Sequence, residues 1–466
     1  MSHGSMRGWL RRRPLSEHIL TSPGVISARA SRPASSSTTR GKRQPVVQVL
    51  TDMWITFTGI DESLHLDNAA VFRSASKSVV TNALQFVDDA WIEPSSAVAG
   101  TDLFHRTGAR QQIAVIGRGC DLKAIRIHEF GGPEQLRYED VDEPSPEAGE
   151  VLVRVHACGV ARSDLPMRAG LLGEGRYRVR LPLIPGKEVA GEVAEIGLGV
   201  TEFRVGDRVS GHHIVCETCR WCRGGQKNLC SKRVTLGVHR PGGYAEYVAI
   251  PARALFRIPD GTSYEIAACT KITFGTAWHA LITQVRVRAA EMVLVLGAGG
   301  GVGNAGVQVA TFAGASVIAA VGSERGRECL VQQGLTNVIN YSTEDLAARV
   351  KELTSGCGVD VVLDTAGGDL VPLALASMTR NGRYVTIGAH AGSQTTVDML
   401  ALYRNQWSII GSLTATPDEY QLVVDLVDHG AFKPIIDRVF RLEDAPGAHQ
   451  RMAARQHFGN LILVPG

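Results

Sequence analysis

Hydrophobic and polar positions first fall into a regular pattern at Leu122, where Leu-Lys-Ala-Ile-Arg-Ile-His-Glu-Phe alternates with the two-residue period of a half-buried strand. Val151 to His156 alternates again, and Val193 to Asp207 joins strand residues to turns at Gly197, Gly199 and Gly206, the rhythm of an antiparallel, barrel-like β domain. From about Thr270 the rhythm changes. Met292 to Leu296, Ser316 to Val321, Val359 to Asp364 and Arg383 to Ile387 are apolar, β-branched runs separated by stretches of helical length, which predicts a doubly wound parallel sheet. After Trp407 strand and turn character resumes, and the run Gly459 to Val464 predicts a return to the first domain. The pattern therefore predicts an α/β chain: a β-rich domain over 122–273, a parallel-sheet domain over 274–408, and a return over 409–466. Residues 46–121 show no period or motif. Residues 1–45, rich in Arg, Ser and Pro with Glu17 as their one acid, have the composition of a disordered or targeting leader.

Composition narrows the function classes. A chain of 466 residues that is 44% apolar and 20% charged suits two or three soluble domains. Its net charge of +3 and the lack of a basic stripe with interleaved aromatics give no reason to expect nucleic acid or a membrane surface as partner. The longest apolar stretch, Met292 to Val321, is broken by glycines, Asn304 and Gln308 and is no membrane span. Of 9 cysteines, Cys216, Cys219, Cys222 and Cys230 are clustered and the rest are scattered. An odd count without a secretory signal points to a reducing, cytoplasmic setting, with organellar targeting by the N-terminus as the alternative.

Val293-Leu-Val-Leu296 runs into Gly297-Ala-Gly-Gly-Gly-Val-Gly303 and then a helical stretch. A glycine loop between a buried strand and a helix N-terminus lets backbone N–H groups approach a pyrophosphate, so Gly297, Gly300, Gly301, Val302 and Gly303 are read as cofactor-binding. A dinucleotide site selective for NAD places an acid about 20 residues further on, to hold the ribose hydroxyls. Here that place reads Val321-Gly-Ser-Glu-Arg-Gly-Arg327, so Ser323 and Arg325 predict room and charge for a 2′-phosphate and hence NADPH, with Glu324 as the feature that keeps NADH open. The Cys-x-x-Cys-x-x-Cys spacing with Cys230 eight positions on gives four thiolates the reach to close a tetrahedron around one structural zinc, leaving no coordination position for substrate.

These motifs resemble the zinc-containing medium-chain dehydrogenase superfamily of alcohol dehydrogenases and quinone or enone reductases. The resemblance spans roughly Leu122 to Gly466. It also rests on Gly149-Glu-Val-Leu-Val-Arg-Val155, Gly186-Lys-Glu-Val-Ala-Gly191, Gly199-Val-x-x-Phe-x-Val-Gly-Asp-Arg-Val209, Gly242-Gly-Tyr-Ala-Glu-Tyr247 and Thr276-Ala-Trp-His-Ala-Leu281. It implies a GroES-like catalytic domain wrapped in sequence around a Rossmann domain, with the active site in the cleft between them and a dimer or tetramer as the assembly. It further implies that Thr276 lies beside the nicotinamide and that Gly388 lies at the sheet's carboxyl edge.

The resemblance breaks at the family's catalytic zinc. Where zinc enzymes carry Cys-x-Ser/Thr-Asp, this chain reads Ala161-Arg-Ser-Asp164; where they carry Gly-His-Glu it reads Gly186-Lys-Glu188; the third ligand position falls near Ile272. The proton-relay His is replaced by Pro166. We therefore expect no catalytic zinc and an Asp164–Lys187 ion pair in its place, with Lys187 either a fixed cation near the substrate oxygen or a residue that only fills the vacated charge site, and Ser163 as a proton donor with Glu188 beside them. Tyr244 and Tyr247 are candidates for the cleft wall, and His156 and His279 for packing. The expected activity is hydride transfer from NADPH to a carbonyl or a conjugated enone or quinone. An alcohol dehydrogenase, or a non-catalytic NADPH-binding regulator, are the alternatives.

Overall fold

The computed structural model describes residues 122–172 and 178–466; the expected N-terminal extension, with its disordered or targeting leader, lies outside the described residues. Strands β1 (Leu122–Arg126) and β2 (Arg137–Val141) pair antiparallel as a two-stranded ribbon. The first alternating run is thus a strand beside the main sheet, held to it by Ile125 N–H donating to the Tyr244 carbonyl at 2.8 Å. The main β half contains β3 (Glu150–Gly159), the short helix α1 (Asp164–Arg168), β4 (Glu188–Ile196), β5 (Arg208–Gly211), the single turn α2 (Arg220–Arg223), β6 (Tyr247–Pro251) and β7 (Leu255–Arg257). β3 is buried along most of its length because β4 and β6 pair with it antiparallel.

Helix α3 (Tyr264–Trp278) joins the two halves. Ser263 caps it by accepting from Ile266 N–H at 3.3 Å. Its N-terminal turns (Ala267, Ala268, Cys269) pack with Ala157 and Ala190 of the β half, while Phe274 and Ala277 enter the core of the parallel sheet. A helix apolar on all sides belongs inside a protein, and this one serves as the shaft between two cores.

The second half runs through β8 (Met292–Leu296), α4 (Gly301–Phe312), β9 (Ser316–Val321), α5 (Glu324–Gln332), β10 (Val338–Asn340), α6 (Leu346–Leu353), β11 (Val359–Asp364), α7 (Leu370–Ala376), β12 (Met378–Thr386), α8 (Met399–Arg404) and β13 (Ser408–Gly411). All six strands are parallel in the order β10-β9-β8-β11-β12-β13. The direction of winding reverses between β8 and β11, which opens a crevice at their carboxyl ends.

The return to the β half comes later than residue 409. β13 is the edge strand of the parallel sheet, and α9 (Pro417–Asp428) packs Val423 into the same core as Val293 and Val361. Only β14 (Ile436–Arg441), α10 (Ala445–Ala453) and β15 (Asn460–Val464) rejoin the first sheet, where β15 pairs with β3. Strand character after Trp407 is real, but it does not reveal which sheet receives the strand. No helix among the described residues is long and apolar enough to cross a membrane.

Candidate active site

A cavity of about 570 Å³ opens at the switch point, walled by both halves. That volume lies within the usual range for a small-molecule or cofactor site. Gly297, Gly300, Gly301, Val302 and Gly303 all line it. The loop needs its glycines: Gly297 has φ +74°, and a Cβ on Gly303 would run into the Gly297 carbonyl oxygen. Helices α3, α5, α6, α8 and α9 each have a side chain capping the first turn, whereas α4 has neither a side-chain cap nor an acid there. Its N-terminal N–H groups and positive dipole end are thus left for an anion supplied from the cavity.

At the end of β9, Gly322 and Ser323 reach the wall, joined by Tyr341 and Arg455. Glu324 is turned to Arg327 (2.9 Å) and Asn340 (3.1 Å), so its carboxylate is engaged on its own surface. Arg325 does not join the site. Its guanidinium donates to the Gln456 carbonyl at 2.7 Å and pairs with Asp437 at 2.9 Å, because the returning β14–β15 segment presents both acceptors to it. Arg455, just past α10, is a cation on this wall, and its charge bears on Tyr341; Arg162, also on the wall, donates to the Met452 carbonyl at 2.6 Å, and both charges bear on His390. Sequence spacing could not find Arg455, since it lies far along the chain from the glycine loop.

The opposite end of the cavity is lined by Ser163, Glu188, Ile272 and Thr276. Lys187 and Asp164 are not on the wall. Both are buried behind Ser163: Lys187 Nζ pairs with Asp164 Oδ1 at 2.8 Å and donates to Ser163 Oγ at 2.8 Å. The expected ion pair is present, and its lysine touches the serine that lines the cavity. Glu188 packs its carboxyl against Gly159, where any Cβ would collide with it. Burial pushes this carboxyl up to about 8. Beneath it, Lys271 donates to the carbonyls of Lys187 (2.7 Å) and Gly211, a buried ammonium whose sequence signal is a lone charge inside the apolar run of α3. Ala161 and Ile272, on the same wall, carry no atom able to ligate a metal.

Neither tyrosine of the Gly-Gly-Tyr-Ala-Glu-Tyr motif lines this cleft. Tyr244 is fully buried behind Asp164, and Tyr247 sits on β6 beside a separate small pocket. Gly388 falls just past β12 and packs against the Thr365 carbonyl, while its neighbours Ile387 and His390 face the cavity. His156 stacks on Tyr264 with ring centres 4.3 Å apart, and buried His279 meets Glu419 at 2.9 Å, so both are packing residues.

In the lobe beyond β5, the sulfurs of Cys216, Cys219, Cys222 and Cys230 all lie within 4.8 Å of one another. Four sulfurs about 2.3 Å from a central zinc stand about 3.8 Å apart, so a modest contraction closes the tetrahedron. His212 and His213 stay outside this group; His212 instead stacks against Phe256.

A glycine-cradled cavity at the switch point of a parallel sheet, faced by a β-rich lid with a four-thiolate lobe, defines a nicotinamide-dependent dehydrogenase or reductase. Residues 147–260 match the alcohol dehydrogenase GroES-like domain family and residues 301–429 the zinc-binding dehydrogenase family. The chain is similar to an NAD-dependent alcohol dehydrogenase of Sulfolobus acidocaldarius, 32% identical over 73% of this chain and 99% of that one. It is as similar to a quinone oxidoreductase of Rattus norvegicus, 32% identical over 74% of this chain and 98% of the relative. A crystal structure of an NAD-dependent alcohol dehydrogenase matches with a TM-score of 0.70 and 34% identity, covering 74% of this chain and 100% of that one. The chain belongs to the zinc-containing medium-chain dehydrogenase/reductase superfamily and is an NAD(P)H-dependent oxidoreductase.

Proposed function

We propose that this protein is an NADPH-dependent reductase of conjugated carbonyl compounds that works without a catalytic zinc and carries one structural zinc. The observation that carries the proposal is the row Asp164–Lys187–Ser163, with its hydroxyl end on the cavity wall, at the place where the resemblance calls for a metal. Ala161, Lys187 and Ile272 offer no ligand set for a metal there.

When bound, the nicotinamide supplies hydride. Lys187 donates to Ser163 Oγ and occupies one of its acceptor positions, so the Ser163 hydrogen is free to turn to a carbonyl oxygen in the cavity. A conjugated acceptor suits such a site. Hydride arriving at the β-carbon moves charge to that oxygen as an enolate, which one well-placed donor stabilises. Glu188, held in its acid form by burial on the same wall, gives a proton to the α-carbon, and the saturated carbonyl leaves. At the other end, Ser323, Tyr341 and Arg455 favour a 2′-phosphate, and Glu324 is not on the wall to oppose it. Cys216, Cys219, Cys222 and Cys230 would hold the structural zinc, whose four thiolates leave it no role in chemistry.

Metal analysis of the purified protein together with an NADPH-oxidation panel of cyclohexenone, hexenal, a naphthoquinone, and simple ketones and alcohols tests this. The expected result is one zinc per chain and turnover of the conjugated acceptors. Two zincs per chain, or turnover of simple alcohols alone, would overturn it in favour of an alcohol dehydrogenase. Cofactor binding with no turnover on any acceptor would favour a regulatory protein.

A further inference from the structure

Behind the ion pair, a second buried row continues away from the cavity. Asp164 Oδ2 accepts from Ala161 N–H at 3.0 Å and from Tyr244 OH at 3.2 Å; Tyr244 OH meets His449 Nε2 at 3.1 Å; His449 Nδ1 faces Arg168 Nη1 at 3.0 Å. Asp164, Tyr244 and His449 are fully buried and Arg168 nearly so. The row gathers residues from three elements, α1, the loop before β6, and α10, and its side-chain partners lie 80 to 281 positions apart along the chain. None of its outer members touches the cavity.

The direction of every hydrogen in the row follows from one fact: a guanidinium only donates. His449 Nδ1, facing Arg168, must therefore accept. Burial holds the imidazole neutral, with its pKa pulled down to about 4, so its single hydrogen is on Nε2 and is donated to Tyr244. The Tyr244 hydroxyl, already accepting, spends its hydrogen on Asp164. From the other side Lys187 also points at Asp164. A hydrogen bond from Tyr244 and the ammonium charge of Lys187 thus converge on the carboxylate from opposite ends. A proton wire needs one continuous direction, and a guanidinium at its outer end would block it, so the row does not carry protons.

We propose that Arg168, His449 and Tyr244 form a positioning clamp that fixes Asp164 as an acceptor, and that Asp164 in turn fixes Lys187 and the donor direction of Ser163. This rests on the reading of Lys187 and Ser163 given above. The clamp is the reason a metal-free site can hold its one donor still: the rigidity that a metal's coordination sphere supplies elsewhere comes here from three buried side chains remote from the substrate.

The test is a double-mutant cycle on turnover with cyclohexenone and NADPH. Tyr244→Phe keeps the ring and removes the hydroxyl. The expected outcome is about a tenfold loss of kcat, the value of one lost orienting hydrogen bond, with KM for NADPH unchanged. In a Lys187→Met background the same substitution should cost nothing further, because its effect passes through Lys187. His449→Leu should reproduce the Tyr244→Phe loss, and His449→Gln, whose amide still donates to Tyr244, should recover most of it. An unchanged kcat in Tyr244→Phe, or an equal loss in both backgrounds, overturns the clamp while leaving Lys187 in place. Wild-type turnover in Lys187→Met would instead overturn the reading of Lys187 and the clamp with it.

Discussion

Replacing Lys187 by Met separates folding from chemistry, because the structure assigns a different magnitude to each. Lys187 is paired with Asp164, whose side chain is 0% exposed. Removing one partner of a buried ion pair typically costs about 3–5 kcal/mol. Asp164 keeps its bonds from Ala161 N–H and Tyr244 OH, which places the loss at the lower end, about 3 kcal/mol. At roughly 2–4 °C per kcal/mol for domains of this size, the melting temperature should fall by about 6–12 °C. Turnover should fall further than stability suggests. Ser163 loses the group that sets its hydrogen, and loss of an oriented oxyanion donor costs on the order of a hundred-fold or more in kcat. The double variant Lys187→Met/Asp164→Asn removes both charges together, so it should regain most of the melting temperature and none of the turnover. Scanning fluorimetry and steady-state NADPH oxidation read the two quantities. Wild-type kcat in the single variant would refute the chemical role; recovery of kcat along with stability in the double variant would show that Lys187 acts only by holding the fold.

The cofactor end makes its own prediction. Arg455→Glu should raise KM for NADPH by about ten- to a hundred-fold, the value of a charge-assisted contact to phosphate, and leave KM for NADH nearly unchanged, whereas Arg325→Ala should do neither because its guanidinium is committed to Asp437. Equal effects on both cofactors would remove the case for a 2′-phosphate site. At the reactive end, Glu188 is raised to about 8 by burial, so its acid form prevails below that pH and is lost above it. The rate should therefore fall as pH rises through about 8, and Glu188→Gln should lower the rate at neutral pH and abolish that limb. A limb that persists in Glu188→Gln would assign it to another group, with neighbouring Lys271, lowered to about 8 by burial, the first to try.

What the sequence made legible divides along physical lines. Features carried by local backbone chemistry were readable: the glycine loop, because φ > 0 and close approach admit nothing else there, and the cysteine spacing, because four ligands for one ion must lie within reach of one another. The Asp164–Lys187 pair was also within reach, since a lysine stands at the expected histidine position and the motif's aspartate is kept. Side-chain direction was not. Arg325 stands at the right distance past the loop, yet Asp437 and the Gln456 carbonyl, more than a hundred residues later, draw it outside. Arg455 takes the wall for the converse reason: the chain after α10 turns at a residue with φ +55° and carries the guanidinium to the mouth of the cleft. The late return after β13 belongs with these, because the alternation of Ser408 to Gly411 specifies a strand and says nothing of its neighbour. Lys187 shows how the two kinds of information combine. Its charge and its partner follow from the sequence, but that its ammonium meets Ser163, with Tyr244 and His449 packed behind its partner Asp164, is set by the tertiary fold. Set behind a hydroxyl, the lysine's charge reaches the substrate through a hydrogen bond that strengthens as the oxygen becomes negative, and only such a gain between ground state and transition state accelerates the reaction.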